Sequence, residues 1–350
     1  MQDLQIATPS SNEVRVSVSY AGLCHSDLHE MDGTFPTTTP IVLGHEASGV
    51  VQEVGSDVVD IAVGDHVVTC LSVFCGLCKY CVYGRQVLCE NRAALAMQGA
   101  QTRLTDEDGR TVRPTAGIGA FAEQIVVHQN AVAVIPAHFP LSKASILGCA
   151  ITTGYGAVVH SARVHPGSSV AIIGTGGIGM AAIQAARLAG AGKVIAIDVI
   201  DEKLVQASGV GATHVVNSGH VDVVSAVRDI AGAGVDYSFE AVGKAVTVEQ
   251  AVAMLRPGGI ATVVGMVPSD PPIQIDGADL FFSEKVLQGS FMGSNHFKTD
   301  IALFVELHDK GVLDLDAMIT HVLPFAEIND GFALLAEGRS TRAVVSMGQL

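Results

Sequence analysis

A glycine-rich run in the middle of the chain places the tightest constraint on its fold. The apolar segment 169–173 precedes Gly174, Gly176 and Gly179, and an alanine-rich helical segment continues to Leu188. The first glycine of such a run allows a tight turn, the second lets the backbone approach a phosphate, and the third lets helix and strand pack closely. The free N–H groups at the helix start attract anions. The run therefore predicts a strand, a phosphate-binding turn and a helix in succession.

An acidic residue follows at the distance that a dinucleotide site requires. Asp198 comes directly after the next strand-like segment, 193–197. A carboxylate at this point accepts hydrogen bonds from ribose hydroxyls and repels a 2′-phosphate. We therefore expect NAD rather than NADP as the coenzyme, bound by Asp198 and by the glycine turn, to which Gly177 also belongs.

The segments that follow alternate between strand and helix patterns. Strand-like segments at 214–216, 235–239 and 260–264 enclose helix-like segments at 221–230 and 245–255. This alternation predicts βαβ units and a parallel sheet.

The first third of the chain has a different pattern. Strand-like segments occur at 14–18, 47–54 and 65–69, and the long polar segment 90–118 predicts a functional or interface loop. The βαβ rhythm ends after residue 289. We interpret the final part as a return to the first domain.

Composition excludes several classes of function. The formal net charge of −15 disfavours nucleic acid and anionic membranes as partners. The apolar runs are too short to span a bilayer, and residues 1–12 lack the apolar core of a signal peptide. We therefore expect a cytoplasmic protein, in which the seven cysteines are reduced and metal binding is the first hypothesis for them.

Four cysteines are spaced as metal ligands: Cys75, Cys78, Cys81 and Cys89. Four thiolates form the closed tetrahedral site that zinc prefers, and a closed site is structural rather than catalytic. A redox C-x-x-C motif is the main rival, but neither cysteine pair opens an obvious helix in a thioredoxin-like unit. A nucleic-acid-binding zinc module is disfavoured because Lys79 and Arg85 are the only bases within the cluster.

Five motifs follow one another along the chain: 22–29 (GLCHSDLH), 44–46 (GHE), the four-cysteine lobe, 147–149 (LGC) and the glycine run. Their order resembles that of the zinc-containing medium-chain alcohol dehydrogenases, in particular the long-loop, dimeric branch. The resemblance covers residues 13–347. It implies an α/β protein with a GroES-like, β-rich catalytic domain at 1–150 carrying a zinc lobe at about 75–89, a Rossmann coenzyme domain at 151–291, and a return at 292–350.

The resemblance also implies the catalytic residues. Cys24, His45 and Cys149 would bind a catalytic zinc, giving two zincs per chain, and three ligands leave the fourth position open for water or alcohol. Around the zinc, Asp27 would hydrogen-bond His45, and Glu46 would lie just outside the ligands. Ser26 would contact the substrate oxygen, and His29 would form the outer end of a proton relay.

The resemblance further implies residues that contact the coenzyme: the pyrophosphate (His25 and Arg342), the adenosine ribose (Lys203) and the nicotinamide (Thr153 and Ile178).

The implied reaction is hydride transfer between a small alcohol and NAD, with a homodimer as the assembly. Two alternatives stay open at this point. A thiol-dependent formaldehyde dehydrogenase would share the zincs and the fold; Phe35 and Leu71 suggest an apolar pocket, but segment 90–118 also contains basic residues, namely Arg92, Arg103, Arg110 and Arg113. A non-catalytic NAD-binding scaffold would be free to lose the catalytic ligands, and all three are present.

Overall fold

The computed structural model describes residues 2–97 and 103–348. These residues divide into two compact units. The first contains the described residues up to Cys149 and from His296 onward, and the second runs from Ala150 to Asn295. Among the described residues, no helix combines the length and the apolar character needed to cross a bilayer.

The strands are given in chain order. They are β1 (Gln5–Ile6), β2 (Glu13–Gly22), β3 (Ile41–Val42), β4 (Glu46–Val54), β5 (His66–Thr69), β6 (Leu104–Thr105), β7 (Thr111–Pro114), β8 (Gln124–His128), β9 (Val132–Ile135), β10 (Ser169–Ile173), β11 (Lys193–Asp198), β12 (His214–Asn217), β13 (Val235–Glu240), β14 (Leu255–Val263), β15 (Val286–Gly289), β16 (His321–Pro324) and β17 (Ala343–Ser346).

The α-helices are given in the same way, and single turns of 3-10 or π helix occur between them. They are α1 (His25–Met31), α2 (Lys79–Val82), α3 (Arg92–Met97), α4 (Leu141–Ala144), α5 (Thr152–Gly156), α6 (Gly177–Leu188), α7 (Asp201–Gly209), α8 (Val223–Ala231), α9 (Ala245–Ala253), α10 (Gly277–Phe282), α11 (Phe297–Asp309) and α12 (Ile328–Ala336).

The first unit is built around a mainly antiparallel sheet. Its strand order is β16, β17, β2, β4, β5, β9, and β8 pairs with β2. The alternation of β2 explains its place in the centre, since Val14, Val16 and Val18 are buried while the residues between them are partly exposed. Strand β17 pairs antiparallel with β2, with Val344 opposite Gly22. The C-terminal segment therefore lies beside the strand that leads to Cys24.

Segment 90–118 contains more regular structure than a loop. It includes α3, β6 and β7, while residues 98–102 lie outside the described residues. The buried side chain of Arg103 lies 2.7 Å from Glu13 Oε1 and donates to the carbonyl oxygen of Gly117 at 2.8 Å. The polar composition that predicted a loop thus partly reflects an internal ion pair that ties this segment to β2.

The second unit contains a six-stranded parallel sheet. Its strand order is β12, β11, β10, β13, β14, β15, so the order reverses between β10 and β13. The apolar runs that predicted these strands are buried; Val170, Ile195 and Phe239 are at most 1% exposed. In sheets of this type, ligands bind outside the carboxyl ends of the strands at the reversal point. The glycine turn after β10 lies at that point.

Candidate metal centres and coenzyme turn

Four metal-ligating side chains meet inside the first unit. Cys24, His45, Glu46 and Cys149 are all buried, and their donor atoms lie within 4.8 Å of one another. We call them the core cluster. The structure thus brings together the three predicted ligands of the catalytic zinc and adds a carboxylate to them.

Two glycines let the backbone carry these ligands so close together. Gly44 precedes His45 at φ +93°, a conformation that favours glycine. Gly148 precedes Cys149, and a Cβ atom there would lie 1.7 Å from the carbonyl oxygen of Thr69. Larger residues at either position would move the following ligand.

Asp27 orients the imidazole of the cluster. Its Oδ1 lies 3.2 Å from His45 Nδ1 and accepts the Gly44 N–H at 2.9 Å, while its Oδ2 accepts the Cys24 N–H at 3.2 Å. His45 Nε2 is buried and has no hydrogen-bond partner among the described residues. A hydrogen bond at Nδ1 with a free Nε2 is the arrangement of a metal-ligating histidine.

The protonation of the core cluster fits a divalent cation. The pKa of Cys24 lies well below its usual range, first because Cys149 donates a hydrogen bond to it, and the pKa of Cys149 is raised well above its range by the same bond and by burial. Burial lowers the pKa of His45, but Asp27 and Cys24 outweigh burial and raise it. Protons on Cys149 and His45 are those that metal binding displaces. Two sulfurs and an imidazole are a ligand set that zinc prefers.

A buried arginine forms an ion pair with the carboxylate of the core cluster. Arg342 Nη2 lies 3.3 Å from Glu46 Oε1, and its Nη1 donates to the Leu23 carbonyl oxygen at 2.8 Å. Burial raises the pKa of Glu46 to about 7, although the charge of Arg342 opposes that change. The resemblance implies a pyrophosphate contact for Arg342, and the structure also pairs this residue with Glu46. No local sequence signal links two residues so far apart in the chain.

Helix α1 carries the predicted relay residues. The hydroxyl oxygen of Ser26 lies 3.6 Å from Cys24 Sγ, at the edge of the core cluster. His29 is partly exposed and packs edge-on against Phe35, with 5.4 Å between ring centroids. His25 is exposed, and its ring centroid lies 6.4 Å from that of His29. Three polar side chains thus extend along α1 from the cluster towards solvent.

The four predicted lobe ligands also meet. Donor atoms of Cys75, Cys78, Cys81 and Cys89 lie within 4.8 Å of one another, and we call them the lobe cluster. A side-chain hydrogen bond from Asn91 is the main reason why the pKa of Cys75 falls to about 6, whereas burial raises that of Cys81 to about 12. Backbone N–H groups of Leu77 and Cys78 point to Cys75 Sγ at 3.4 and 3.3 Å. Such bonds stabilise a thiolate.

The glycine turn of the second unit has the geometry of a phosphate-binding site. Gly174 has φ +92°, and a Cβ atom on Gly179 would lie 1.8 Å from the Gly174 carbonyl oxygen. Gly176 is the N-cap of α6, and a Cβ atom there would meet nothing within 4 Å. Open space at the start of a helix whose first N–H groups are free fits a pyrophosphate.

The other predicted coenzyme residues of this unit lie on three helices. Gly177 and Ile178 form the first turn of α6. Thr153 lies on α5, which packs closely on α6, since a Cβ atom on Gly154 would lie 2.4 Å from the Ile178 carbonyl oxygen. Lys203 is half-buried on α7, just beyond Asp198 at the end of β11.

One buried carboxylate at the carboxyl ends of the strands was not predicted. Glu240 ends β13, is fully buried, and accepts hydrogen bonds from the N–H groups of Val242 and Gly243 and from the hydroxyl of Thr247. It fixes the turn after β13. A strand-end carboxylate gives no sequence signal that separates such a turn-capping role from ligand binding.

Comparison with known families assigns both units. The family of alcohol dehydrogenase GroES-like domains matches residues 10–137, and the zinc-binding dehydrogenase family matches residues 177–306. The predicted fold class is therefore confirmed: a GroES-like, β-rich domain and a Rossmann-type parallel-sheet domain.

Solved structures agree over nearly the whole chain. An alcohol dehydrogenase zinc-binding domain protein from Burkholderia ambifaria is 36% identical, with a TM-score of 0.94, and the match covers 99% of this chain and 95% of that one. Benzyl alcohol dehydrogenase from Acinetobacter calcoaceticus is 32% identical, with a TM-score of 0.92 and the same coverage. A putative zinc-binding dehydrogenase from Sinorhizobium meliloti 1021 bound to NADP is 30% identical, with a TM-score of 0.82, over 97% of this chain and 94% of that one.

The chain belongs to the zinc-dependent medium-chain alcohol dehydrogenase family. The resemblance inferred from the motifs is confirmed at this level. Membership implies zinc and a nucleotide as cofactors, and a small molecule as the substrate.

Proposed function

We propose that this protein is an NAD-linked alcohol dehydrogenase that interconverts small apolar alcohols with aldehydes or ketones at a zinc held by the core cluster. The observation that carries the proposal is the buried set of Cys24, His45 and Cys149, with His45 Nε2 unpartnered and its Nδ1 beside Asp27. A scaffold that only binds a dinucleotide has no need of such a set.

Cys24, His45 and Cys149 would bind the catalytic zinc. When bound, the metal supplies Lewis-acid charge that lowers the pKa of an alcohol hydroxyl, and NAD supplies the hydride acceptor. The ion pair with Arg342 gives the Glu46 carboxylate a counter-ion of its own. Arg342 therefore opposes permanent use of Glu46 as a fourth ligand and keeps one position open for the substrate.

The proton of the alcohol leaves along α1. Ser26 Oγ, beside Cys24 Sγ, would accept it and give up its own hydroxyl proton in exchange. The imidazole of His29, whose side chain is 30% exposed, would take up that proton and release one to solvent. Asp27 takes no part in proton transfer in this scheme. Its two oxygens bind His45, Gly44 and Cys24, so it fixes the ligands in place.

An apolar substrate is favoured by Phe35, which packs on His29. Leu71 packs against the apolar core of the first unit. The benzyl alcohol dehydrogenase of Acinetobacter calcoaceticus, at 32% identity, makes aromatic primary alcohols the first compounds to test.

NAD is the proposed coenzyme because Asp198 ends β11 next to the glycine turn. The pyrophosphate would bind at Gly176 and the α6 N-terminus, with the ribose hydroxyls at Asp198. The relative from Sinorhizobium meliloti is bound to NADP, so membership of the family does not itself choose between the two coenzymes.

The lobe cluster would bind a second, structural zinc, since four cysteine sulfurs leave no open position. The two zincs per chain require reduced cysteines, so the proposal also places the protein in the cytoplasm.

A homodimer is part of the proposal. Strand β15 is at the edge of the parallel sheet, with Val286 and Leu287 43% and 36% exposed. Phe281 and Phe282, at the end of α10, are 75% and 81% exposed. An apolar edge strand is a template for pairing with another strand. A second copy presents the same strand, and light scattering should give twice the mass of the chain.

The thiol-dependent formaldehyde dehydrogenase is disfavoured by the arginines of segment 90–118. Arg103 is buried against Glu13, Arg92 donates to the Val87 carbonyl oxygen, and Arg110 pairs with Asp108. These three guanidinium groups already have partners in the fold, which leaves Arg113 as the arginine of this segment that a thiol carboxylate would have to use.

The test is NADH formation, followed at 340 nm, with primary, secondary and aromatic alcohols and with formaldehyde plus thiols. We expect turnover with benzyl alcohol and other apolar primary alcohols. Turnover only with formaldehyde and a thiol would instead identify the protein as a thiol-dependent formaldehyde dehydrogenase. No turnover by zinc-loaded protein with any compound would contradict the proposal.

A further inference from the structure

The carboxylate of Asp198 is held by four donors. Its Oδ1 accepts the N–H groups of Val199 at 2.8 Å and Ile200 at 3.2 Å. Its Oδ2 accepts both the N–H and the hydroxyl of Thr175, each at 2.8 Å. Asp198 itself is half-buried, whereas Thr175 is fully buried. Two donors on each oxygen fix the orientation of this carboxylate.

We propose that Thr175 is a positioning residue that sets the coenzyme preference by holding Asp198 towards the ribose of NAD. This inference rests on the proposed function, because it assumes that Asp198 meets the adenosine ribose. Three of the four donors are backbone groups, which remain whatever side chain stands at position 175. The hydroxyl of Thr175 is the donor that a substitution can remove.

The position of Thr175 explains why its hydroxyl can influence how Asp198 meets the coenzyme. It lies between Gly174 and Gly176, so one residue joins the turn that would bind the pyrophosphate to the carboxylate that would bind the ribose. A carboxylate fixed in this way keeps its direction. It can accept hydrogen bonds from ribose hydroxyls, and it cannot rotate away from a 2′-phosphate.

Replacing the hydroxyl by a methyl group acts on both coenzymes. In Thr175→Val, Oδ2 loses a charge-assisted hydrogen bond and faces a buried methyl group. The carboxylate then rotates more freely. Binding of NAD weakens because the ribose hydroxyls lose a preorganised acceptor, and binding of NADP strengthens relative to NAD because the repelling charge can move. Both effects lower the ratio Kd(NADP)/Kd(NAD), in which Kd is the dissociation constant.

The experiment is calorimetric titration of the full-length, zinc-loaded protein with NAD and with NADP. We expect Thr175→Val to lower the ratio Kd(NADP)/Kd(NAD) by about tenfold, near the lower limit for a lost hydrogen bond to a charged group. Thr175→Ser keeps the hydroxyl and should keep the ratio within about twofold of the wild type. The matched control is Thr213→Val. Thr213 hydrogen-bonds Val194 at the opposite, amino end of the same sheet, so the ratio should not change.

Thermal unfolding of each variant separates positioning from stability. A purely structural role for Thr175 would lower the melting temperature and leave the ratio unchanged, and that result would overturn the inference. A Thr175→Ser variant with the low ratio of Thr175→Val would also overturn it. If Thr175→Val does not fold, Thr175→Ala provides the same test. Failure of the wild type to bind either dinucleotide would contradict the proposed function, whereas normal NAD preference in Thr175→Val refutes this inference alone.

Discussion

The two metal-ligand clusters of the first unit are assembled in different ways. The lobe cluster draws its sulfurs from one stretch, 75–89, and Cys75 and Cys78 are only half-buried. The core cluster draws its donors from residues 24, 45–46 and 149, and all of them are buried. The first can form from local chain geometry, whereas the second exists only once β2, β4 and the turn at Cys149 have come together.

This difference predicts different consequences of metal loss. A cluster formed by a small lobe contributes its metal-binding energy to the folding of that lobe. The core cluster is held by packed strands and keeps its shape through Asp27, Gly44 and Gly148. Its metal is therefore not needed for folding and can act in catalysis. Loss of the lobe zinc should therefore reduce stability, and loss of the core zinc should reduce turnover.

The largest expected effect comes from Cys149→Ala. We expect alcohol oxidation to fall by about a thousandfold or more, because the zinc that lowers the pKa of the alcohol is lost or misplaced. NAD titration should be unchanged. Cys70→Ala is the matched control, since Cys70 is also fully buried and belongs to neither cluster. Activity of Cys149→Ala close to that of Cys70→Ala would refute the ligand assignment.

The lobe cluster is tested by Cys81→Ser. We expect the free energy of unfolding to fall by about 4 kcal/mol, within the range seen when a structural metal is lost. The metal content should fall by one zinc per chain, while the folded fraction keeps its kcat. Denaturant unfolding, metal analysis and active-site titration measure these quantities. If Cys81→Ser kept its stability but lost turnover, the lobe cluster would be the catalytic one and the assignment of the two clusters would be reversed.

Asp27→Asn tests how the core cluster keeps its shape. An amide is a weaker acceptor for the His45 ring N–H, so we expect the zinc affinity of this cluster to fall by about 10- to 100-fold. Competition with a chelator measures that affinity. Asp65→Asn serves as the control, because Asp65 only accepts the Ala62 N–H in an exposed turn. Equal zinc affinity in both variants would remove Asp27 from the support of the metal.

The smallest expected effect is that of His29→Gln. Oxidation of alcohol should slow by about tenfold at neutral pH, because the proton loses its carrier to solvent. The difference from the wild type should narrow as pH rises, since hydroxide can then accept the proton. His138→Gln, on an exposed histidine elsewhere in the same unit, should behave as the wild type. A His29→Gln defect that is constant with pH would argue against the relay.

Features encoded within a short stretch of sequence were predictable. The apolar run, the three glycines and the alanine-rich segment predicted β10, the turn and α6 because each depends on neighbouring residues. The spacing of the four cysteines predicted a zinc lobe for the same reason. In contrast, Cys24, His45 and Cys149 are too far apart for spacing to join them, and only the family resemblance placed them together.

Features that depend on packing could not be predicted. The resemblance placed Glu46 just outside the ligands, but its pairing with Arg342 follows from packing, because β17 pairs with β2. Arg103 crosses from segment 90–118 to Glu13, which gives this polar stretch an internal partner. Each contact joins residues far apart in the chain, and the single sequence contains no signal for them.

The central claim is that one chain holds two distinct zincs, one for structure and one for chemistry. Its most direct test is metal analysis by plasma mass spectrometry of the purified wild type beside Cys149→Ala and Cys81→Ser. We expect two zincs per chain in the wild type and one in each variant, with turnover lost only in Cys149→Ala. A wild type with a single zinc and full activity would contradict it.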